Sequence, residues 1–266
     1  SMQFETNSTV RFKLDNNSRL SLSNNDASDK TTLFGYEAGN GVASGDDENT
    51  MIGHQAGYNT SGGYNTYIGA NSGLGASGAD SFNVGIGRSS LFAVTTGNQN
   101  TVVGNRSGLS LTTGVKNVFI GSNAGNATTD VDNTVIIGET AAIANMTSDA
   151  DGTVAIGRSS LAGLTTGQYN TAIGFEAAST MVNNDGITAF GYQAAKGASG
   201  GGTYNTALGY QSLLVVDGGG NNVAVGAGTL KALNSGANNV AIGTNAGGAV
   251  TSAADNTVVG SAAGVA

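Results

Sequence analysis

The chain is 266 residues long, with 44 glycines, no proline, cysteine or tryptophan, and only 11% charged side chains. A formal net charge of −8, with ten Lys and Arg residues scattered along the sequence, argues against a nucleic-acid partner, because phosphate binding needs a basic patch. The lack of cysteine excludes disulfides and thiolate metal sites, and no apolar run approaches the ~18–20 residues of a membrane span, so no membrane insertion is expected.

Residues 1–30 stand apart from the rest of the chain. Ser1-Met2 reads as a cloning remnant ahead of an internal piece of a longer protein, and no signal-peptide pattern opens the chain. Val10, Phe12 and Leu14 alternate with Arg11 and Lys13, the stretch from Asp15 to Ser18 supplies turn chemistry, and Leu20 and Leu22 alternate with polar neighbours. Such alternation about a turn predicts a β-hairpin with one apolar face. It is either the cap of the repeat that begins at residue 31, covering an otherwise open sheet edge, or the end of a preceding domain.

From residue 31 to residue 266 one phrase recurs. Asn170-Thr171-Ala172-Ile173-Gly174 returns as Asn49-Thr50-Met51-Ile52-Gly53, as Asn205-Thr206-Ala207-Leu208-Gly209 and as Asn239-Val240-Ala241-Ile242-Gly243. The glycine recurs as Gly35, Gly53, Gly69, Gly87, Gly104, Gly121, Gly138, Gly157, Gly174, Gly191, Gly209, Gly226, Gly243 and Gly260, and eight of the thirteen spacings are 17 residues. A short fixed period predicts a solenoid in which each unit packs only on its neighbours. The expected fold is all-β: an elongated β-helix or β-roll of about fourteen coils.

Each unit has three parts. The first is a strand ending at the glycine, with Thr or Val three residues before it and Ile, Val, Leu or Phe one residue before it. These two positions share a face. Between them stand Leu33, Met51, Tyr67, Val102, Phe119 and Ile136, then Ala in six copies, so both faces read as buried. The pattern assigns Thr171 and Ile173 to the coil's own interior and Ala172 to a second covered surface. Thr in eight copies could suggest an ice-binding row, but the Val interruptions and the aliphatic partner read as core. In the second part, Ala, Ser or Thr stands three residues after every glycine, which implies close approach of backbones. The third part is a connector of turn composition such as Leu164 to Tyr169, and in the longest unit Asn145 to Asp151 reads as a protruding loop.

Asn lies four residues before the glycine in ten units, which predicts an amide ladder running along the stack. One reliable aliphatic strand per coil is too little to enclose a private interior. Burial of the strand's second face therefore calls for three chains about a shared axis, an intertwined or parallel homotrimer.

The repeat Asn-Thr-Ala-Ile-Gly-x-x-Ala, with Thr-Thr-Gly connectors, resembles the head repeats of trimeric autotransporter adhesins. It is similar also to repeats in bacteriophage tail fibres and in bacterial surface fibres built from phage-fibre modules. The resemblance covers residues 31–266, and the segment Ser8–Ser23 resembles the strand that often precedes such repeats. It implies a left-handed trimeric β-roll or β-helix serving as shaft or head of an attachment fibre, outside the cell on a virion or a bacterial surface. Its partner would be a glycan or protein of a host or target-cell surface. Fibres of this type often end in a cleavable chaperone domain of the endosialidase type, whereas this repeat runs to Ala266, so the chain reads as part of a longer fibre.

Candidate chemistry is sparse. The residue after the glycine is Phe175, Tyr192 and Tyr210 in three successive units, an aromatic stripe suited to sugar rings or a protein surface, or else to packing against the connector. His54, the one histidine, occupies the same variable position; three copies could hold a metal, but a surface role is the better reading. Asp46-Asp47-Glu48, Asp130 with Asp132, and Asp149 with Asp151 could bind calcium but match no calcium motif, and solvated loop charge is favoured. No Ser-His-Asp or Cys-His constellation can be assembled, so no enzyme, no catalytic residue, no metal and no cofactor are expected. Multivalent attachment is the expected mechanism, with a polysaccharide-degrading fibre segment and a monomeric solenoid binding ice or calcium as alternatives.

Overall fold

The computed structural model describes residues 2–6, 9–14, 20–21, 31–42, 48–75, 78, 80–197 and 202–264. Near the N-terminus, β1 (Met2–Thr6), β2 (Thr9–Leu14) and β3 (Leu20–Ser21) form an antiparallel sheet in that order. Leu14 lies opposite Leu20, as the alternating pattern requires, and the extra strand β1 pairs Phe4 with Phe12. The turn at 15–19, Leu22, and the acids Asp46 and Asp47 lie outside the described residues.

Among the described residues, fourteen three-residue strands, β4 (Thr32–Phe34) to β17 (Thr257–Val259), form one parallel sheet in strict chain order. Each marks one coil of a β-solenoid, and the register never slips: Ala172 lies beside Ala155 on one side and Ala189 on the other. At about 4.8 Å per strand the stack is roughly 60 Å long. The repeat period thus translates directly into the fold.

The glycine ending each strand turns a corner. Gly174 has φ +141°, and a Cβ there would lie 2.3 Å from the carbonyl oxygen of Gly191 in the next coil, so both its conformation and its contact exclude a side chain. Three more left-handed positions follow in each coil, represented by Glu176 (φ 52°), Ala178 (φ 51°) and, in the coil before, Tyr169 (φ 57°). Left-handed backbone costs roughly 1–2 kcal/mol per non-glycine residue. Cross-coil hydrogen bonds offset part of it: Glu176 N–H donates to the Arg158 carbonyl (3.0 Å) and Ala178 N–H to the Ala194 carbonyl (2.9 Å).

The asparagine ladder is present, with partners beyond those expected. Asn117 Nδ2 donates to Asn100 Oδ1 at 3.0 Å, the predicted side-chain rung, but Asn100 Oδ1 also accepts the backbone N–H of Asn117 at 3.0 Å. The same Nδ2 reaches the Val131 carbonyl in the connector at 2.7 Å. Each amide therefore ties strand to strand and strand to connector. Ile187 interrupts the ladder, and there Asn184 substitutes, its Nδ2 donating to the Gly202 carbonyl at 2.8 Å.

The two faces of the strand are the reverse of those read from the sequence. The middle residue points into the coil: Met51, Tyr67, Val102, Phe119, Ile136 and Ala172 are fully buried within one chain. The flanking residues face outward, with Phe34 61%, Phe190 51% and Leu208 44% exposed, and Thr171 and Ile173 only partly covered. The expectation that one chain cannot enclose a core is likewise corrected. Many of the described connectors hide an apolar residue, such as Val94, Leu111, Leu164, Met181, Val216 or Leu233, that is fully buried and closes the interior from the far side, while Thr60 and Asp80 are buried in two others. The small residue after the glycine (Ala56, Ser90, Ala177, Ser212) packs between these walls, as its invariant size implied. Nor is Asn145 to Asp151 a protruding loop: it holds a short 3-10 turn, Ser148–Ala150, with Met146 and Ala150 buried.

Candidate functional site

Past the glycine corner, the next residue projects outward and begins a column that runs along the solenoid. Its spacing is set by the backbone, since Gln193 N–H donates to the Phe175 carbonyl and Gln211 N–H to the Tyr192 carbonyl, both at 2.9 Å. Side chains in this column therefore stack one coil apart. Phe175 and Tyr192 have ring centroids 5.5 Å apart, Tyr192 and Tyr210 5.1 Å, each pair within 9° of parallel. The three candidate residues are thus brought together, with Tyr192 40% and Tyr210 56% exposed.

The column continues toward the N-terminus by charge. Arg158 places its guanidinium carbon 5.5 Å from the Phe175 centroid, and its Nε lies 3.4 Å from Glu139 Oε2. One row thus passes from ion pair to cation–π contact to aromatic stack across five coils. Along the column the rings pack against one another. That has a consequence for ligands: the stacked faces are occupied, and what the stripe presents along its length is ring edges.

A polar row lies beside the rings, one residue further along each coil. Glu176 Oε2 accepts from Gln193 Nε2, Gln193 Oε1 from Gln211 Nε2, and Gln211 Oε1 from Lys231 Nζ, each at 2.8 Å. Lys196 Nζ pairs with the same Glu176 oxygen at 2.5 Å. Hydrogen bonding from Lys196, then from Gln193, holds the Glu176 carboxyl below its ordinary range. The result is a fixed set of amide and charged groups alongside an aromatic edge. Sequence reasoning found the rings but missed this row, although Glu, Gln and Gln at one repeat position were visible.

The other candidates are placed elsewhere. His54 is exposed and stacks on Tyr36, with centroids 5.6 Å apart, in the same column near the N-terminal end. Among the described residues no three His, Cys, Asp or Glu side chains gather to hold a metal ion. The acids serve the backbone instead: Asp132 Oδ1 accepts the Val115 N–H and Asp151 Oδ1 the Asp132 N–H, each at 2.7 Å. Asp130 Oδ1 accepts from Thr129 Oγ1 at 3.0 Å and from the Ser148 N–H at 3.1 Å. A second aromatic pair, Tyr64 and Phe82, stacks at 4.7 Å just before the asparagine ladder, with both rings about half exposed.

No helix among the described residues is long and apolar enough to cross a membrane. The sequence matches no protein-family model and no functionally curated protein.

Proposed function

We propose that this chain is a structural and adhesive segment of a trimeric attachment fibre, carried outside the cell on a phage tail or a bacterial surface. Three copies join along the outward face of the parallel sheet. The observation that carries the reading is the row formed by the last strand residue of every coil. It includes Phe34, Ile86, Ile120, Phe190, Leu208, Ile242 and Val259, all large apolar side chains at least 37% exposed in the single chain. A continuous apolar row along a whole sheet face is more than a monomeric surface ordinarily presents, and such patches mark interfaces. Cover by two further copies removes it from water, and the three-fold fibre then shows each exposed column three times, so weak contacts act together.

The test is the mass in solution. Sedimentation equilibrium is expected to give three times the chain mass of 26.1 kDa, and a 26.1 kDa species at micromolar concentration sinks the trimer. Replacing Ile156 and Ile173 by Asp together is expected to give a folded monomer.

One observation favours a second reading. The Thr and Val positions of the strands face outward rather than into the core, with Thr101 and Thr188 exposed at the heads of their strands. A monomer would therefore present a regular flat Thr and Ile surface of the kind that orders water on ice. Thermal hysteresis by a monomeric sample would favour this reading; a trimer without thermal hysteresis excludes it.

A further inference from the structure

The aromatic column stops abruptly, and the place where it stops has a shape. The residue following Tyr210 in the column is Ala227, and the next is Thr244. Tyr210 is covered on one face by Tyr192, but its other face looks toward a coil that offers only a methyl group. The polar row breaks in the same coil, because Gly228 stands where Gln193 and Gln211 stood. A Cβ on Gly228 would lie 2.3 Å from Asn245 Oδ1, so the Asn245 carboxamide leans over this gap from the next coil. No side-chain hydrogen bond holds that carboxamide among the described residues, and Ala227, Lys231, Thr244 and Asn245 are all exposed.

Tyr210 and Thr244 are two coils apart, about 9.6 Å at the ordinary strand spacing. With contacts of about 3.5–4.0 Å on either side, one ring fits between them. We infer that this notch takes a single pyranose unit of a neutral surface polysaccharide, the C–H face of the sugar lying on the open face of Tyr210. An aromatic face carries partial negative charge, which suits the slightly positive hydrogens of that sugar face. Ala227 forms the floor, Thr244 the opposite wall, and the Asn245 carboxamide with the Gln211–Lys231 pair supplies donors and acceptors for ring hydroxyls. Within the Phe175–Tyr192–Tyr210 stack the other two rings lack this property, since their faces are spent on one another or, for Phe175, on Arg158. The notch rests on the attachment reading and names the ligand class for it.

The experiment uses the full chain and immobilised six-unit gluco-, manno- and galacto-oligosaccharides as probes. Binding of at least one probe is expected, with affinity reduced tenfold or more by Tyr210→Ala and by Ala227→Tyr. The second change fills the notch while extending the stack on an exposed position, so loss of binding there cannot be put down to misfolding once circular dichroism matches the parent. Phe175→Ala, two coils away, is expected to stay within about threefold. Binding that survives Ala227→Tyr, or no binding to any probe, overturns the notch. Adsorption of the parent protein to a panel of bacterial cells is scored separately. If adsorption persists while the notch variants behave as the parent, the notch fails and attachment stands; if the parent adsorbs to no cell, the attachment reading itself fails.

Discussion

A Cβ on Gly73 would sit 2.6 Å from the ring carbons of Tyr67, the largest side chain at the centre of the solenoid. The two positions share one space. In the coils of Met51 and Tyr67 the fourth residue past the corner is Gly57 or Gly73, whereas in those of Gly85 and Ala155 it is Leu91 or Leu161. Gly73→Ala is therefore expected to cost about 1–3 kcal/mol by overpacking, with about 1 kcal/mol more for a left-handed alanine. Gly152→Ala is the control, because φ is +70° there but the nearest atom to the new methyl is 3.8 Å away, so only the backbone cost applies. Heat denaturation followed by circular dichroism ranks the two.

Asn184 does the work of the missing ladder residue at Ile187. Asn184→Ala is expected to cost about 1–3 kcal/mol, because the Gly202 carbonyl loses its donor in a buried place. Asn100→Ala should cost at least as much, since it also leaves the Asn117 N–H without its acceptor. In the Asn184→Ala background, Ile187→Asn restores an amide at the regular position, and recovery of part of the lost melting temperature is the expected result. No recovery would show that an amide at the regular position cannot take over the role of Asn184 in this coil.

Tyr67 donates its hydroxyl proton to Asp80 Oδ2 inside the coil. Burial first, then the negative charge of Asp80, pushes its ionisation well above the ordinary value of 10.0. A phenol whose folded pKa exceeds its unfolded one contributes stability that is whole below about pH 10 and is lost as pH rises above it. Tyr67→Phe is expected to lower the melting temperature at pH 7, where Asp80 loses a donor, and to flatten the fall in melting temperature between about pH 9.5 and 11. Parallel curves for the two proteins would sink this assignment.

Asp151 is held above its ordinary carboxylate value of 3.8 chiefly by burial, with the charges of Asp132, Asp130 and Asp149 adding and the Asp132 N–H opposing. A raised carboxyl favours the folded state only while protonated, so the benefit fades as pH climbs past 3.8 and at pH 7 the ionised group is a net burden. Asp151→Asn keeps the Oδ1 acceptor for Asp132 N–H and removes the charge, so melting temperature at pH 7 should hold or rise. Asp151→Ala should lower it. Millimolar calcium is expected to leave the parent's melting temperature unchanged, which a calcium site at these acids would not allow.

The aromatic column was legible as three aromatic residues in phase, because phase is all that a stacked column needs. The use of the ring faces was not. Whether a ring offers its face or its edge depends on the 5.1–5.5 Å approach of its neighbours, and whether the last face is open depends on Ala227 and Gly228 lying one coil beyond. The polar row of Glu176, Gln193 and Gln211 was equally in phase, yet its meaning required seeing each amide reach the one before it.

The sequence by itself determined that this chain is a stack, how many strands the solenoid has, where each of those strands lies and that asparagines run along it. It could do so because every coil meets the same two neighbours, so one environment is written out fourteen times. The tertiary structure decided which face of the strand is inside. Thr-Ala-Ile is apolar on both sides, and the deciding partners are single residues buried elsewhere in the coil, Leu161 across from Ala155 and Leu164 from the connector. A lone leucine among Thr and Gly shows no period that marks it as core. Only closure of the coil brings it against the strand, turns Ala172 inward and leaves Ile173 on the outer face.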